Sequence, residues 1–179
     1  KYIATAGSDR TAKLWDASTG EELQSFIGHT NVVQGITFSP SGDRLATGSF
    51  DGRVKIWSIP AGEELMSFSG RAVQIYRVAF SPDGLQVASA NSDGTAQLWD
   101  VTPRKEFLTL SGHQGMVYSV MYSPDGKRLL TASGDNAAAI WDASTGEDLV
   151  WFRGHEGEII RAVFSPDGRY IVSGSHDTT

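Results

Sequence analysis

The chain has 179 residues, 40% of them apolar and 20% charged, with 15 Lys and Arg against 21 Asp and Glu for a net charge of −6. That is a globular composition of about one domain's length, with no run long enough to span a bilayer and a charge balance that repels phosphate backbones and anionic lipid. Cysteine is absent, which excludes disulfides, thiolate metal sites and thiol nucleophiles together.

The sequence opens on Lys1 and not Met, without an apolar segment behind it, so it carries no targeting address and its native N-terminus is expected to lie upstream. A fixed period runs through it. Trp15, Trp57, Trp99 and Trp141 stand 42 residues apart, as do Asp9, Asp51, Asp93, Asp135 and Asp177, and Gly28, Gly70, Gly112 and Gly154. Such self-similarity marks a repeat architecture. Within one period, residues 32–38, 44–49, 53–57 and 64–69 are apolar or alternating runs of strand length, rich in Val, Ile, Phe and Trp. The first two are joined by Ser39-Pro40-Ser41-Gly42, which recurs as Ser81-Pro82-Asp83-Gly84, Ser123-Pro124-Asp125-Gly126 and Ser165-Pro166-Asp167-Gly168. In each, Pro presets a turn angle and Gly accepts a positive one. No connection has room for a crossover helix, so the unit is predicted to be a four-stranded antiparallel meander whose faces are buried by stacking on its neighbours.

These residues resemble a series of WD40 repeats. Gly28-His29, Gly112-His113 and Gly154-His155 match the family's opening signal. Trp15-Asp16, Trp99-Asp100 and Trp141-Asp142 match its closing one, with Trp57-Ser58 in the remaining place. The resemblance implies an all-β fold, a β-propeller segment of four-stranded antiparallel blades. Complete blades are expected over 28–69, 70–111 and 112–153, and partial blades over 1–27 and 154–179. Because propellers close with about four to eight blades, the segment is expected to belong to a longer chain or to be completed by self-association.

Three residues invite a catalytic reading. Thr47, His29 and Asp51, with Trp57 nearby, have the residue types of a nucleophile, base and orienting acid. The set recurs as Thr131, His113, Asp135 and Trp141, and the hydroxyl position is filled throughout by Thr5, Thr47, Ser89, Thr131 and Ser173. One active site needs one set, whereas a packing device is needed in every blade. The resemblance implies that these positions form an internal hydrogen-bond tetrad. In the second complete repeat Arg71 replaces His, which leaves Ser89, Asp93 and Trp99 and predicts a weaker blade. His29, His113 and His155 are spread one per repeat, so no metal site is expected, and no phosphate cradle or cofactor motif is present.

With no inserted loop in any repeat, specificity must come from positions the repeat leaves free. One varies as Gln34, Tyr76, Tyr118 and Ile160; another, just before the turn Asp, as Ser8, Phe50, Ser92, Gly134 and His176. The resemblance implies that both face the same end of the ring, where partners bind. Phe50, Tyr76, Arg77, Met116, Tyr118, Ile160 and Arg161 are therefore the expected partner-binding residues. Tyr76 and Tyr118 read equally well as packing between inner strands, whereas Phe50, at a hairpin tip, has little role in folding on this reading. Trp151 is expected to cover a neighbouring sheet edge, and Lys13, Lys55, Glu21, Glu22, Glu63 and Glu64 to be solvated.

The function expected is a non-catalytic, cytoplasmic scaffold that binds a protein or peptide, with no nucleic acid, membrane or cofactor. Two alternatives belong to other classes. One is the sensor or scaffold region of a larger signalling enzyme, a kinase or ATPase. The other is a propeller hydrolase at the channel mouth, using Glu158, Arg161 or His176.

Overall fold

The computed structural model describes residues 1–70, 73–102 and 107–179, excluding the side chain of Phe107; Arg71 lies outside the described residues. Strands β1 (Tyr2–Ala6), β2 (Thr11–Asp16) and β3 (Glu22–Ile27) form a three-stranded sheet. Strands β4 (Val33–Phe38), β5 (Arg44–Ser49), β6 (Arg53–Ser58) and β7 (Glu64–Ser69) form a four-stranded one. So do β8 (Ile75–Phe80), β9 (Gln86–Asn91), β10 (Thr95–Asp100) and β11 (Phe107–Ser111). The next four-stranded sheet comprises β12 (Val117–Tyr122), β13 (Arg128–Ser133), β14 (Ala137–Asp142) and β15 (Asp148–Arg153), and β16 (Ile159–Phe164) pairs with β17 (Ile171–Ser175). All pairings are antiparallel, between strands consecutive in sequence. The fold is all-β, built from propeller-type blades, and no helix among the described residues is long and apolar enough to cross a membrane.

Turn chemistry fixes the hairpins. Gly42, Gly84, Gly126 and Gly168 adopt φ of 74°, 72°, 72° and 69°, a region open to Gly at little cost. Each turn is closed by its serine, whose Oγ accepts the backbone N–H five residues on, at 3.0 Å for Ser39 and 2.9 Å for Ser81. Neighbouring turns also touch. A Cβ added at Gly84 or Gly126 would come within 3.5 or 3.4 Å of the preceding repeat's proline ring.

Between consecutive sheets lies an apolar layer. Leu14, Phe26, Val33, Leu45 and Trp57 fill the first, and Ile56, Val78, Phe80, Val87 and Trp99 the second. Leu98, Leu110, Val120, Leu129 and Trp141 fill the third, and Leu130, Ile140, Ala162 and Phe164 the fourth. A Trp closes each of the first three layers, which accounts physically for its recurrence. Strands β5, β9 and β13 are buried on both faces because each sheet is covered on both sides. Their neighbours, not their own sheet, supply that cover.

Each of β4, β8, β12 and β16 carries a β-bulge. The register passes from Val33 to Gly35, Ile75 to Arg77, Val117 to Ser119 and Ile159 to Arg161. Gln34, Tyr76, Tyr118 and Ile160 are thus left out of the ladder, and a bulge re-aims the side chain it frees.

Candidate functional site

The polar residues inside the blades form closed chains of hydrogen bonds. In β4–β7, His29 Nδ1 donates to Asp51 Oδ2 at 2.8 Å and Thr30 N donates to the same oxygen at 2.9 Å. Because a carboxylate only accepts, the imidazole proton belongs on Nδ1. Nε2 then accepts the Thr47 hydroxyl at 2.8 Å, and Thr47 Oγ1 accepts the Trp57 indole N–H, also at 2.8 Å. His113, Asp135, Thr131 and Trp141 repeat this in β12–β15 at 2.9, 2.8 and 2.8 Å. Burial lowers the pKa of His29 and His113 more than their aspartates raise it, so both favour the neutral form. Burial pushes Asp51 and Asp135 up, but backbone N–H groups and the imidazoles more than reverse it and hold both below the ordinary carboxylate value. Thr47 and Thr131 are 0% exposed. Their hydroxyls are committed on both sides and out of reach of a substrate, and the chain of bonds clasps the strands together.

Other sheets hold parts of the clasp. Trp15 donates to Thr5 Oγ1 at 2.8 Å, and His155 bridges Asp177 and Ser173 at 2.7 and 2.8 Å. In β8–β11, Trp99 Nε1 donates to Ser89 Oγ at 3.1 Å, and Asp93 accepts from Thr95 N and Oγ1 at 3.1 and 2.6 Å. Asn91 stands where the other complete blades have Ser49 and Ser133. Its Nδ2 donates to Thr95 Oγ1 and Gln97 Oε1 at 3.1 and 3.4 Å. Its Oδ1 is buried with no hydrogen-bond partner among the described residues.

Two expectations about the blade surface are corrected. Lys55 is buried, not solvated: Nζ pairs with Glu64 Oε2 at 2.6 Å and lies 5.7 Å from the centre of the Trp57 ring. Lys13 is half-buried, with Glu22 at 2.7 Å and the Trp15 ring at 5.7 Å. Their aliphatic stems cover the tryptophan while the charge is neutralised by the adjacent outer strand. Trp151 takes the corresponding place in β12–β15, beside Gly112 just past the end of β11. Its ring meets His113 at 4.8 Å and Trp141 at 5.6 Å, and its Nε1 donates to Asp148 at 2.8 Å.

At one end of the inner strands the freed side chains meet in a row. Phe50 packs edge-on against Tyr76 at 5.3 Å, and Tyr76 against Tyr118 at 5.4 Å. The Tyr76 hydroxyl reaches Met116 Sδ at 3.4 Å. Tyr118 donates to Glu158 Oε2 at 3.3 Å, and His176 Nδ1 stands 3.6 Å from the same oxygen. Burial, then the charge of Glu158, raises the Tyr118 pKa and keeps the phenol a donor. The row crosses four consecutive sheets, and its three aromatic rings are half-buried. Arg77, Met116, Ile160 and Arg161 are exposed beside it or just below. Phe50 therefore has a packing partner that its place at a hairpin tip does not reveal. Gly134 sits close under this row, since a Cβ there would come within 3.3 Å of both Tyr118 and Glu158. The bulges that aim this row leave no motif; the spacing of Tyr76 and Tyr118 by one period is the trace that points to them.

Stacked antiparallel blades with an internal Trp–hydroxyl–His–Asp clasp define a WD-repeat β-propeller protein. The chain belongs to the family described as WDR90, 4th beta-propeller, whose model matches residues 32–178. The family WD domain, G-beta repeat matches residues 1–16. Among curated proteins, the chain is 46% identical over 41 residues to nuclear distribution protein PAC1-2 of Postia placenta, covering 23% of this chain and 10% of that protein. Identity is 48% over 44 residues with a Lissencephaly-1 homolog of Heterostelium pallidum, covering 25% and 11%. With dynein assembly factor with WD repeat domains 1 of Macaca fascicularis it is 54% over 43 residues, covering 24% and 10%. The match spans about a tenth of the length of these relatives, close to one repeat.

Proposed function

We propose that the chain is a non-catalytic cytoplasmic scaffold that binds a protein or peptide across the rim formed by Phe50, Tyr76 and Tyr118, with Arg77, Met116, Ile160 and Arg161 completing the contact surface. The observation that carries this reading is the continuity of the row. Side chains that the repeat does not dictate converge into one row across four sheets, with half-buried aromatic rings from three of them and Glu158 from the fourth. Aromatic, Met and Arg side chains are the enriched anchors of protein interfaces. Here the rings are braced by one another, so little rotamer freedom is lost on binding. The clasps argue against chemistry, because their hydroxyls are buried and their histidines saturated. A net charge of −6 disfavours nucleic acid and anionic membranes as partners. A relative named as a dynein assembly factor fits a role in bringing proteins together.

Phe50→Ser and Tyr76→Ser in the full chain test the proposal by quantitative affinity capture beside thermal melting. Phe50→Ser removes one edge-to-face contact and Tyr76→Ser two, each worth about 1 kcal/mol, so folding should survive. The captured set should lose at least one protein found with the unsubstituted chain. An unchanged set from two well-folded variants removes the rim from the binding surface.

A further inference from the structure

Below the aromatic row, the inner strands β8, β12 and β16 line an open groove of about 400 Å³. Its wall includes Ala79, Met121 and Val163, with Ser119 at its centre and Arg77 and Arg161 on the strands to either side. These three residues share one register position, the first paired residue after the bulge: Arg77 faces Ala90, Ser119 faces Ala132 and Arg161 faces Gly174. The bulge that sends Tyr76 and Tyr118 to the rim thus also sets which side chains enter the groove. Both arginines are exposed, and no ion pair or hydrogen bond of either guanidinium is present among the described residues. The chain has 21 acidic residues, yet among the described residues no Asp or Glu lines the groove.

Two exposed guanidinium groups on the strands flanking one groove present positive charge to an anionic side chain that enters it. The planar fork of Arg matches a carboxylate in bidentate geometry. We propose that the groove selects a partner segment bearing Asp or Glu side chains, with Arg77 and Arg161 as the residues that recognise them while neighbouring apolar side chains of the segment lie on the rim. This rests on the rim reading above and adds the chemistry of the partner. The preference opposes the chain's overall charge. A net −6 acting through space favours basic segments, so an acidic bias has to originate in the groove.

The test is selection from a randomised, unphosphorylated peptide library on the full chain, on Arg77→Gln/Arg161→Gln and on Phe50→Ser. Peptides recovered on the unsubstituted chain should be enriched in Asp and Glu. The double arginine variant should weaken the recovered acidic peptides by about tenfold while retaining neutral ones, and Phe50→Ser should weaken both kinds. Recovery without acidic bias, or a bias that persists in the double variant, overturns the groove proposal and leaves the rim standing. Recovery of no peptide above a blank surface overturns the rim reading and the groove with it. If the double variant instead changes the oligomeric state, the groove is occupied by a second copy of the chain and the peptide proposal fails.

Discussion

Sheets β8–β11 and β12–β15 share turn chemistry and a bulged inner strand, yet their polar interiors differ. In β12–β15 the indole, hydroxyl, imidazole and carboxylate form one chain, and Trp151 packs over it. In β8–β11 the indole reaches Ser89, the carboxylate of Asp93 turns to Thr95, and Asn91 buries an oxygen without a partner among the described residues. Both sheets nonetheless present full apolar layers to their neighbours. The apolar stack therefore defines the fold, and the clasp sets how tightly each blade is held. That division suits an architecture in which each unit touches only the next, so local stability can vary without loss of the whole.

The largest test of this contrast is the same substitution made at the same repeat position in each sheet. Asp135 accepts from His113 Nδ1, Gln114 N and Ala137 N at 2.9, 2.9 and 3.1 Å. In Asp135→Asn the new amide group opposes at least one of these donors, and we expect a loss of about 2–3 kcal/mol in chemical denaturation. Asp93→Asn touches an exposed residue bonded to Thr95 and should change stability by about 0.5 kcal/mol or less. Equal losses would break the comparison.

Acid should sharpen it. Burial holds His29 and His113 below the ordinary value of 6.5. As the pH falls below about 6.5 the unfolded chain takes up protons that the folded chain refuses, so stability declines toward the lowered folded values. Above about pH 6.5 this contribution is fully present. Asp51 and Asp135 add the same sign below their ordinary 3.8. Amide exchange near pH 7.5, corrected for intrinsic rates, should be faster in β8–β10 than in β12–β14, as the incomplete clasp predicts. On acidification to about pH 5.5, exchange should accelerate more in β12–β14 than in β8–β10, where no histidine stands. Melting temperature should fall by a few degrees over the same interval.

Much of the architecture was legible because the period is exact: the recurrence of Trp, Asp, Gly and Ser-Pro-x-Gly defines strands, hairpins and stacking without reference to any one contact. The clasp was legible for the same reason, as four residue types recur at fixed offsets. What escaped is what depends on neighbours across blades. Phe50 reads as an idle hairpin tip until Tyr76, from the next sheet, is placed against it. Lys55 reads as a surface charge until its stem is seen lying along Trp57 with Glu64 across the strand pair. Bulges at Tyr76 and Tyr118 shift the buried phase by one residue, from Ile75 to Val78 and Phe80 and from Val117 to Val120 and Tyr122, and within a six-residue strand that break is too short to stand out from the sequence.

The smallest expected effect comes from giving the looser sheet the polar interior of the tighter one. Ser133 Oγ donates to Gly115 O at 3.0 Å and accepts from Asp135 N at 3.2 Å, so a short hydroxyl satisfies the turn completely. Asn91 is longer and spends its amide on Thr95 and Gln97, leaving Oδ1 buried and unmatched. Asn91→Ser alone removes that oxygen but takes the donor from buried Gln97 Oε1, so the two losses nearly cancel. Combined with Gln97→Ala, the residue type at the matching place in β14 is restored as Ala139, and no polar atom of the pair is left over. The double variant should gain about 1 kcal/mol in denaturant unfolding, and Asn91→Ser alone about zero. A double variant less stable than the unsubstituted chain would show that the amide pair holds β9 to β10 better than the hydroxyl does, and the looseness of this sheet would then have to be sought elsewhere than at Asn91.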